Sequence, residues 1–473
     1  MQKKMPVVEM LITWAGKGRC RMHMPGHKGG KGLRHVPGFD ALAFDTTELP
    51  ETDDLFAPSG ALKEAMELAA EGFGARYTQF LTAGATSGIL AMLLALPRGS
   101  AVLAGRDCHR SVAAGIELAG LTPVFVYPRM LSGGMPGCVC AEDIESALRK
   151  NRHIRAIIIT YPNYYGLCGD LERIREAADR LGALLLVDGA HGTHFACGAP
   201  ALPLYAGQYA DVWVDGAHKT TGAMGQGAFL HMSARAEEKG MAKESLLRAL
   251  ALVHTSSPSY PILASLDAAR QRLFTRGEEW ETFAHACVAV TEEIDALKGL
   301  ACSCLHHRNQ AGVAAHDPTR LVVDVRGRGL TGYAAEPILK AAGVEPEMCD
   351  DARIVGIAAP WDPDGLPAFA KAVAALEPAG EPLQLEGTTL RPIAPVRMEQ
   401  TTRAVEHVEI KSAENRVAAA AVGAYPPGIP VLWPYEVVGR EAVRYLLKVQ
   451  ECGGRLFGLQ DGKLPVFALG PDI

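Results

Sequence analysis

Lys219 follows a short alternating run, Ala210-Asp-Val-Trp-Val, and then Asp215-Gly-Ala-His. Alternation of this length suits a short, mostly buried strand. An ammonium at the end of such a strand is costly to bury unpaired, and burial lowers its pKa. A lowered pKa is what an amine needs to attack a carbonyl and form a Schiff base. A second apolar run, Ala183-Leu-Leu-Leu-Val, ends in Asp188-Gly-Ala-His191. The separation 219 − 188 = 31 residues leaves room for a connection and a return to a neighbouring strand. A Schiff-base lysine with an acid for a pyridinium nitrogen is the protein side of pyridoxal phosphate (PLP) chemistry. Alone, the lysine would read as a surface residue and the aspartate as a helix cap. Together at strand ends they point to a cofactor.

Other residues suit the same chemistry. Phe80-Leu-Thr-Ala-Gly84-Ala85-Thr86-Ser87-Gly opens a helical pattern. A small-residue turn with hydroxyls at a helix N-terminus offers free N–H groups and a favourable dipole to a phosphate. The glycine-lysine cluster around His27-Lys-Gly-Gly-Lys lacks both P-loop spacing and a preceding strand. His23 and His27 lie four apart, but Pro25-Gly26 breaks the helix that would put both on one face. No metal site is expected.

Strand-like runs at Ala101–Ala104, Pro123–Val126, Ala156–Thr160, Leu184–Val187, Val212–Val214 and Ala228–His231 alternate with helical patterns such as Ser111–Ala119, Ala141–Lys150 and Leu171–Leu181. That alternation predicts an α/β fold, a mainly parallel sheet with helices on both faces. Ligands on such sheets bind beyond the carboxyl ends of the strands. His109, Asp188, His191, His218 and Lys219 all fall there. Four segments are expected: a Gly/Pro-rich N-terminal arm over 1–60, a large domain over 61–270, a smaller α+β domain over 271–380 and a C-terminal domain over 381–473. The last begins with a polar linker over Gly380–Pro395 and continues with a helix over Ala404–Val422.

Composition narrows the class. The net charge is −6 with no long basic block, which gives nucleic-acid binding no electrostatic support. No run approaches the roughly 20 apolar residues that span a bilayer, and the N-terminus lacks the apolar core of a signal peptide. The 11 cysteines are scattered, with CxC rather than CxxC pairs, which favours reduced thiols and a cytoplasmic location.

The residues then match a known pattern. His23-Met-Pro-Gly-His-Lys-Gly29, Asp45-Thr-Thr-Glu48, the Gly84 turn, Cys108-His-Arg-Ser111, Val187-Asp-Gly-Ala-His-Gly192, His218-Lys219, Thr255-Ser-Ser-Pro-Ser-Tyr260 and Tyr425-Pro-Pro-Gly-Ile-Pro430 stand in the order found in the Orn/Lys/Arg decarboxylases. The chain resembles this family over nearly its whole length, in a short form without the N-terminal receiver-like domain. The resemblance implies PLP fold type I and a homodimer with shared active sites. It implies that Lys219 holds PLP, that Asp188 pairs with the ring nitrogen, and that His109 stacks on the ring with His191 and His218 at its edges. Gly84, Ala85, Thr86 and Ser87 would take the phosphate, with Ser256 reaching that of the other subunit. Glu436, Glu48, Asp53 and Asp54 become candidate acceptors for a basic side chain. The chain departs from the family at Gly216-Ala217, where Ser-Thr is usual, at Ala85, and at Pro434-Tyr435-Glu436.

The expected reaction is α-decarboxylation of lysine, arginine or ornithine, with Lys219 or His218 returning a proton to the α-carbon. Two alternatives stay open. One is another fold type I reaction such as aminotransfer, with Arg353 clamping the substrate carboxylate. The other is a weakly active PLP-binding homologue with a regulatory role.

Overall fold

The structure, a computed structural model, describes residues 2–25, 28–31, 40–131, 133–307, 310, 312–383, 403–425 and 428–468. Gly26 and His27 of the N-terminal motif, Pro426 and Pro427, and residues 384–395 of the expected linker lie outside the described residues.

In chain order the elements that matter are α1 (Pro6–Gly16), α2 (Ala61–Phe73), β1 (Tyr77–Leu81), α3 (Gly84–Leu94), β2 (Ala101–Gly105), α4 (Arg110–Ala119), β3 (Thr122–Val126), α5 (Ala141–Lys150), β4 (Ile154–Thr160), β5 (Leu167–Cys168), α6 (Leu171–Arg180), β6 (Leu184–Asp188), β7 (Val212–Asp215), α7 (Ala217–Thr220), β8 (Ala228–Met232), α8 (Ala234–Glu238), α9 (Lys243–Val253), α10 (Tyr260–Thr275) and α11 (Gly277–Asp295). The chain forms two compact units. The first comprises residues 1–95, 184–199 and 204–280; the second comprises 96–183, 200–203 and 281–473.

The first unit holds strands in the order β1-β8-β7-β6. β6 and β7 run parallel, whereas β8 is antiparallel to both of its neighbours. The runs Leu184–Asp188 and Val212–Asp215 are buried at every position, as fully covered strands must be. Asp188 is in register with Val214, so both strands deliver their carboxyl ends to the same level. Gly88 lets α3 lie directly on this surface: a Cβ there would come within 2.7 Å of Val214 and 2.9 Å of Leu81. The head of α3 is thereby fixed beside the ends of β1 and β7.

The N-terminal segment is not wholly an extended arm. α1 buries Val7, Leu11 and Trp14 along one face, and its first turn is tied down by Asp267, whose Oδ2 accepts from the Val7 N–H at 2.8 Å. Pro6 at the helix start costs nothing there, since that N–H has no intrahelical acceptor.

The second unit orders its strands β4-β2-β3, all parallel. A further sheet lies within residues 301–357, where Arg320–Asp324 pairs antiparallel with Arg353–Ile357. Here the expectation of a helix over Ala404–Val422 fails. The segment begins as a strand, Val405–Val408, paired with Leu464–Phe467. It continues through isolated pairings of Val417 with Val437, Ala418 with Val466 and Val422 with Leu432. Asn415 at φ 65° interrupts any helix, and the alanines favour helix only until tertiary pairing overrides them. Among the described residues, no helix is long and apolar enough to cross a membrane.

Candidate active site

Asp188 ends β6 at 4% exposure, and its Oδ1 accepts from the Ala190 N–H at 3.2 Å. Burial pushes its carboxyl above the usual range, while the positive charge of Lys219 pulls it back down. Lys219 sits on α7, one short turn past β7, with Nζ 2.9 Å from His191 Nε2. A protonated Lys219 has no acceptor to offer, so it donates to an unprotonated Nε2. His218 is anchored through its backbone N–H and its Nδ1, both to Gly227 O, at 3.1 and 2.9 Å. The structure thus brings Asp188, His191, His218 and Lys219 together in one unit.

Gly216 has a steric reason. A Cβ on it would lie 2.5 Å from the carbonyl oxygen of Ala190, a backbone atom that cannot swing away. The chain gives up a hydroxyl here because the loop carrying His191 packs where that side chain would begin.

A buried network holds the end of β7. Asp215 Oδ2 accepts from the Tyr205 hydroxyl and lies 3.2 Å from His231 Nε2. Trp213 Nε1 donates to the Tyr205 oxygen at 2.7 Å, and His231 Nδ1 meets Thr78 Oγ1 at 2.8 Å. Burial keeps the His231 imidazole below its ordinary pKa, against the pull of Asp215. Nothing in the local sequence marks these residues, because their partners come from separate strands and a loop.

At the head of α3, Gly84 adopts φ 75° and its N–H donates to Gln226 O at 2.9 Å. Ala85 is buried, Thr86 is exposed, and the buried Ser87 hydroxyl donates to Gly84 O at 2.8 Å. Ser256 is exposed on the segment between α9 and α10.

His109 belongs to the second unit, where it caps α4. Its Nδ1 accepts from the Ser111 N–H at 3.3 Å, which assigns the ring proton to Nε2. A Cβ on Gly428 would stand 3.3 Å from His109 Cδ2 and Nε2, and Gly428 O accepts from the Arg110 N–H at 3.2 Å. The segment after Tyr425 therefore approaches His109 through glycine backbone.

Four expected roles meet other commitments. Glu436 has no exposure: both its oxygens take Arg106 Nη2, at 3.2 and 2.9 Å, and Oε2 also accepts from the Trp433 N–H at 2.8 Å. It is one half of a buried ion pair, and the expectation that it receives a substrate side chain is corrected. Asp53 caps α2 from upstream, accepting from the N–H groups of Asp54, Ser59, Gly60 and Leu62. Burial alone would raise this carboxyl, but the four donors outweigh it and hold it below the usual range. Asp54 likewise accepts from Phe56 and Ala57. Glu48 remains half-buried with the Thr47 hydroxyl on Oε2. Arg353, the clamp an aminotransferase would need, is 3% exposed, with Nη2 on Gly133 O at 2.6 Å and Asp350 at 3.5 Å.

The profile of the Orn/Lys/Arg decarboxylase major domain matches residues 5–310, and that of the C-terminal domain matches residues 389–462. The chain belongs to the Orn/Lys/Arg decarboxylase family. It is an enzyme of the amino acid decarboxylase class, as the motifs imply. An arginine decarboxylase of Bacillus subtilis is 30% identical over 98% of this chain and 97% of its own. One from Halalkalibacterium halodurans is 30% identical over 97% and 96%. The Francisella novicida lysine decarboxylase LdcF superposes with a TM-score of 0.77 at 15% identity, over 98% of this chain and 81% of that one. The ureidoglycine–glyoxylate aminotransferase of Bacillus subtilis shares the fold more distantly, with a TM-score of 0.52 at 16% identity, over 66% of this chain and 83% of that one. The family's fold is therefore the expected α/β, mainly parallel PLP fold type I.

Proposed function

We propose that the protein decarboxylates a basic amino acid, with arginine as its preferred substrate and PLP as its cofactor. The observation that carries the reading is the Lys219–His191 contact at 2.9 Å beside the buried carboxylate of Asp188. The donor set fits the group. Lys219 supplies a primary amine for the aldehyde, Asp188 a buried anion for the ring nitrogen, and the head of α3 its N–H groups and the Thr86 hydroxyl for the phosphate. Ser256 would supply a hydroxyl for the neighbouring subunit of a homodimer. When bound, PLP supplies the electron sink that lets the bond between the α-carbon and its carboxylate break heterolytically.

The chain's own residues do the rest. Asp188 keeps a negative charge where the ring nitrogen must stay protonated. Its cost of burial is offset in part by Lys219. His191 takes the hydrogen bond of Lys219 and orients the amine. A proton would return to the α-carbon from Lys219 Nζ or, when His218 is protonated, from its Nε2, since its Nδ1–H is committed to Gly227 O. Among the expected entrance carboxylates, Glu48 takes a single hydrogen bond among the described residues, from the neighbouring Thr47 hydroxyl to Oε2, and we assign it the cationic end of the substrate.

Arginine is favoured because four relatives named arginine decarboxylases match over 92–98% of the chain at 29–30% identity. Two named lysine decarboxylases match over 56% and 57%, and one biodegradative arginine decarboxylase over 56%. The test is amine release from arginine, lysine and ornithine by the purified, PLP-loaded protein. Agmatine should dominate, and Lys219→Ala should lower turnover by about 10³-fold or more. Amine from none of the three, despite bound PLP, would overturn the reading.

A further inference from the structure

His254 is a titratable, half-buried side chain that the proposed reaction does not use. It stands directly after α9, where its own N–H still donates to Leu250 O at 2.9 Å. Its Nε2 accepts from the Thr82 N–H at 3.0 Å, and its Nδ1 lies 2.9 Å from Thr255 O. An N–H can only donate, so Nε2 is unprotonated and Nδ1 carries the proton. Both ring nitrogens are then satisfied in one tautomer. Phe56 holds the ring edge-on at 5.5 Å between centroids.

These two bonds join places that sequence sets 172 residues apart. Thr82 begins the turn that leads from β1 into α3; the residue is 4% exposed, and its buried Oγ1 has no hydrogen-bond partner among the described residues. Thr255 begins the 255–260 segment. The far end of that segment is fixed by Tyr260, fully buried with its hydroxyl on Asp53 O at 2.6 Å. Between the two anchors Thr255, Ser256 and Ser257 are exposed, and Ser257 N–H donates to Thr255 Oγ1 at 3.1 Å. The segment is a short hydroxyl-bearing bridge with His254 as one of its two footings.

We propose that His254 is a positioning residue that couples the anion-binding turn at the head of α3 to the 255–260 segment, so that a phosphate seated at Gly84–Ser87 also orders Thr255–Ser257. The proposal rests on the cofactor reading above, in that the phosphate is taken to be that of PLP. If the 82–84 backbone shifts to meet an anion, the Thr82 N–H moves with it, and the imidazole carries the shift to Thr255 O. The coupling needs a ring that accepts on one side and donates on the other. Glutamine reproduces that pair of functions; phenylalanine keeps the packing against Phe56 and removes both.

The test is hydrogen exchange of the peptide covering 255–260 in the full-length chain, alone, with PLP and with inorganic phosphate. PLP affinity is followed in parallel by the absorbance of the bound chromophore. Both probes should slow exchange of 255–260 in the unmodified protein. His254→Phe should weaken PLP binding about tenfold, the effect of one unsatisfied amide, and abolish the protection. His254→Gln should restore most of both. Thermal melting of the cofactor-free variants separates loss of coupling from loss of fold. No protection by either probe, or full protection and unchanged affinity in His254→Phe, overturns the proposal. Protection by phosphate with no Schiff-base absorbance would instead retain the coupling and remove the PLP reading.

Discussion

Two of the buried charged clusters, one in each unit, are built in opposite ways. Around Arg106 both terminal guanidinium nitrogens are answered. Nη1 meets Pro430 O at 2.6 Å, Nη2 meets Val431 O and both oxygens of Glu436, and the guanidinium lies within 6 Å of the Phe125 and Trp433 rings. Glu436 takes the Trp433 N–H as well. Around Asp188 the accounting is left open. One backbone N–H reaches its carboxylate, burial raises its pKa against the pull of Lys219, and Lys219 Nζ lies 2.9 Å from His191 Nε2. A closed cluster fixes a fold. An open one keeps charge in store for something that arrives later, and this is the difference between a structural ion pair and a reactive site.

The sharpest way to break the comparison is to unbalance the closed cluster. Glu436→Ala leaves a guanidinium buried without its counter-ion and should cost about 3–5 kcal/mol of stability. Urea unfolding reads this as a lower midpoint. Arg106→Met with Glu436→Leu should regain most of the loss, because no charge is left stranded. A stable Glu436→Ala with a raised KM for arginine would return Glu436 to the substrate and remove the contrast.

The open cluster should respond in the other direction. Asp188→Asn should lower kcat by about 10²–10³-fold, as losing a preorganised charge does, yet leave the fold more stable near neutral pH. The folded carboxyl sits above its ordinary range. Below that range, both folded and unfolded forms hold the proton, and the substitution changes little. As pH rises through the ordinary value toward the folded one, the unfolded chain ionises first and the native protein loses stability relative to Asp188→Asn. Unfolding of the cofactor-free protein across pH reads this as a difference that grows from acid to neutral. A difference that shrinks would mean that the carboxylate is fully compensated, and the two clusters are alike.

The open cluster was legible in the sequence for the same reason that it is reactive. Lys219, Asp188 and His191 are residues that a buried strand end should not carry, so they stand out against the apolar runs before them. The closed cluster gives no such signal. Arg106 and Glu436 are 330 residues apart, and a satisfied charge looks locally like any solvated one. Glu436 was therefore read as an entrance acceptor. The alanines of 404–422 misled in a related way: their helix propensity is real, but pairing with Leu432, Val437 and Val466 decided the outcome. α1 was hidden by its Gly/Pro-rich neighbours, although Val7, Leu11 and Trp14 carry a helical period. The sheet was legible because buried strands have a sequence period, whereas capping and pairing partners drawn from far along the chain do not.

Asp53 tests the same distinction at a smaller scale. It is acidic, near the proposed substrate acceptor Glu48 in sequence, and was expected at the entrance. Its four backbone donors make it a closed site in miniature. Asp53→Ala should therefore cost roughly 1 kcal/mol, as a lost helix cap does, with KM for arginine unchanged. Asp53→Asn, which keeps an acceptor oxygen, should cost less. Because the donors hold this carboxyl below its ordinary range, its contribution is complete above that range and disappears as pH falls through the folded value. The stability gap between the protein and Asp53→Ala should close in acid, as the Asp188→Asn gap does, but with the opposite sign: here the unmodified protein is the more stable at neutral pH. If KM rises instead and stability does not move, the carboxylate faces the substrate, and burial with backbone donors does not suffice to tell a structural acid from a functional one.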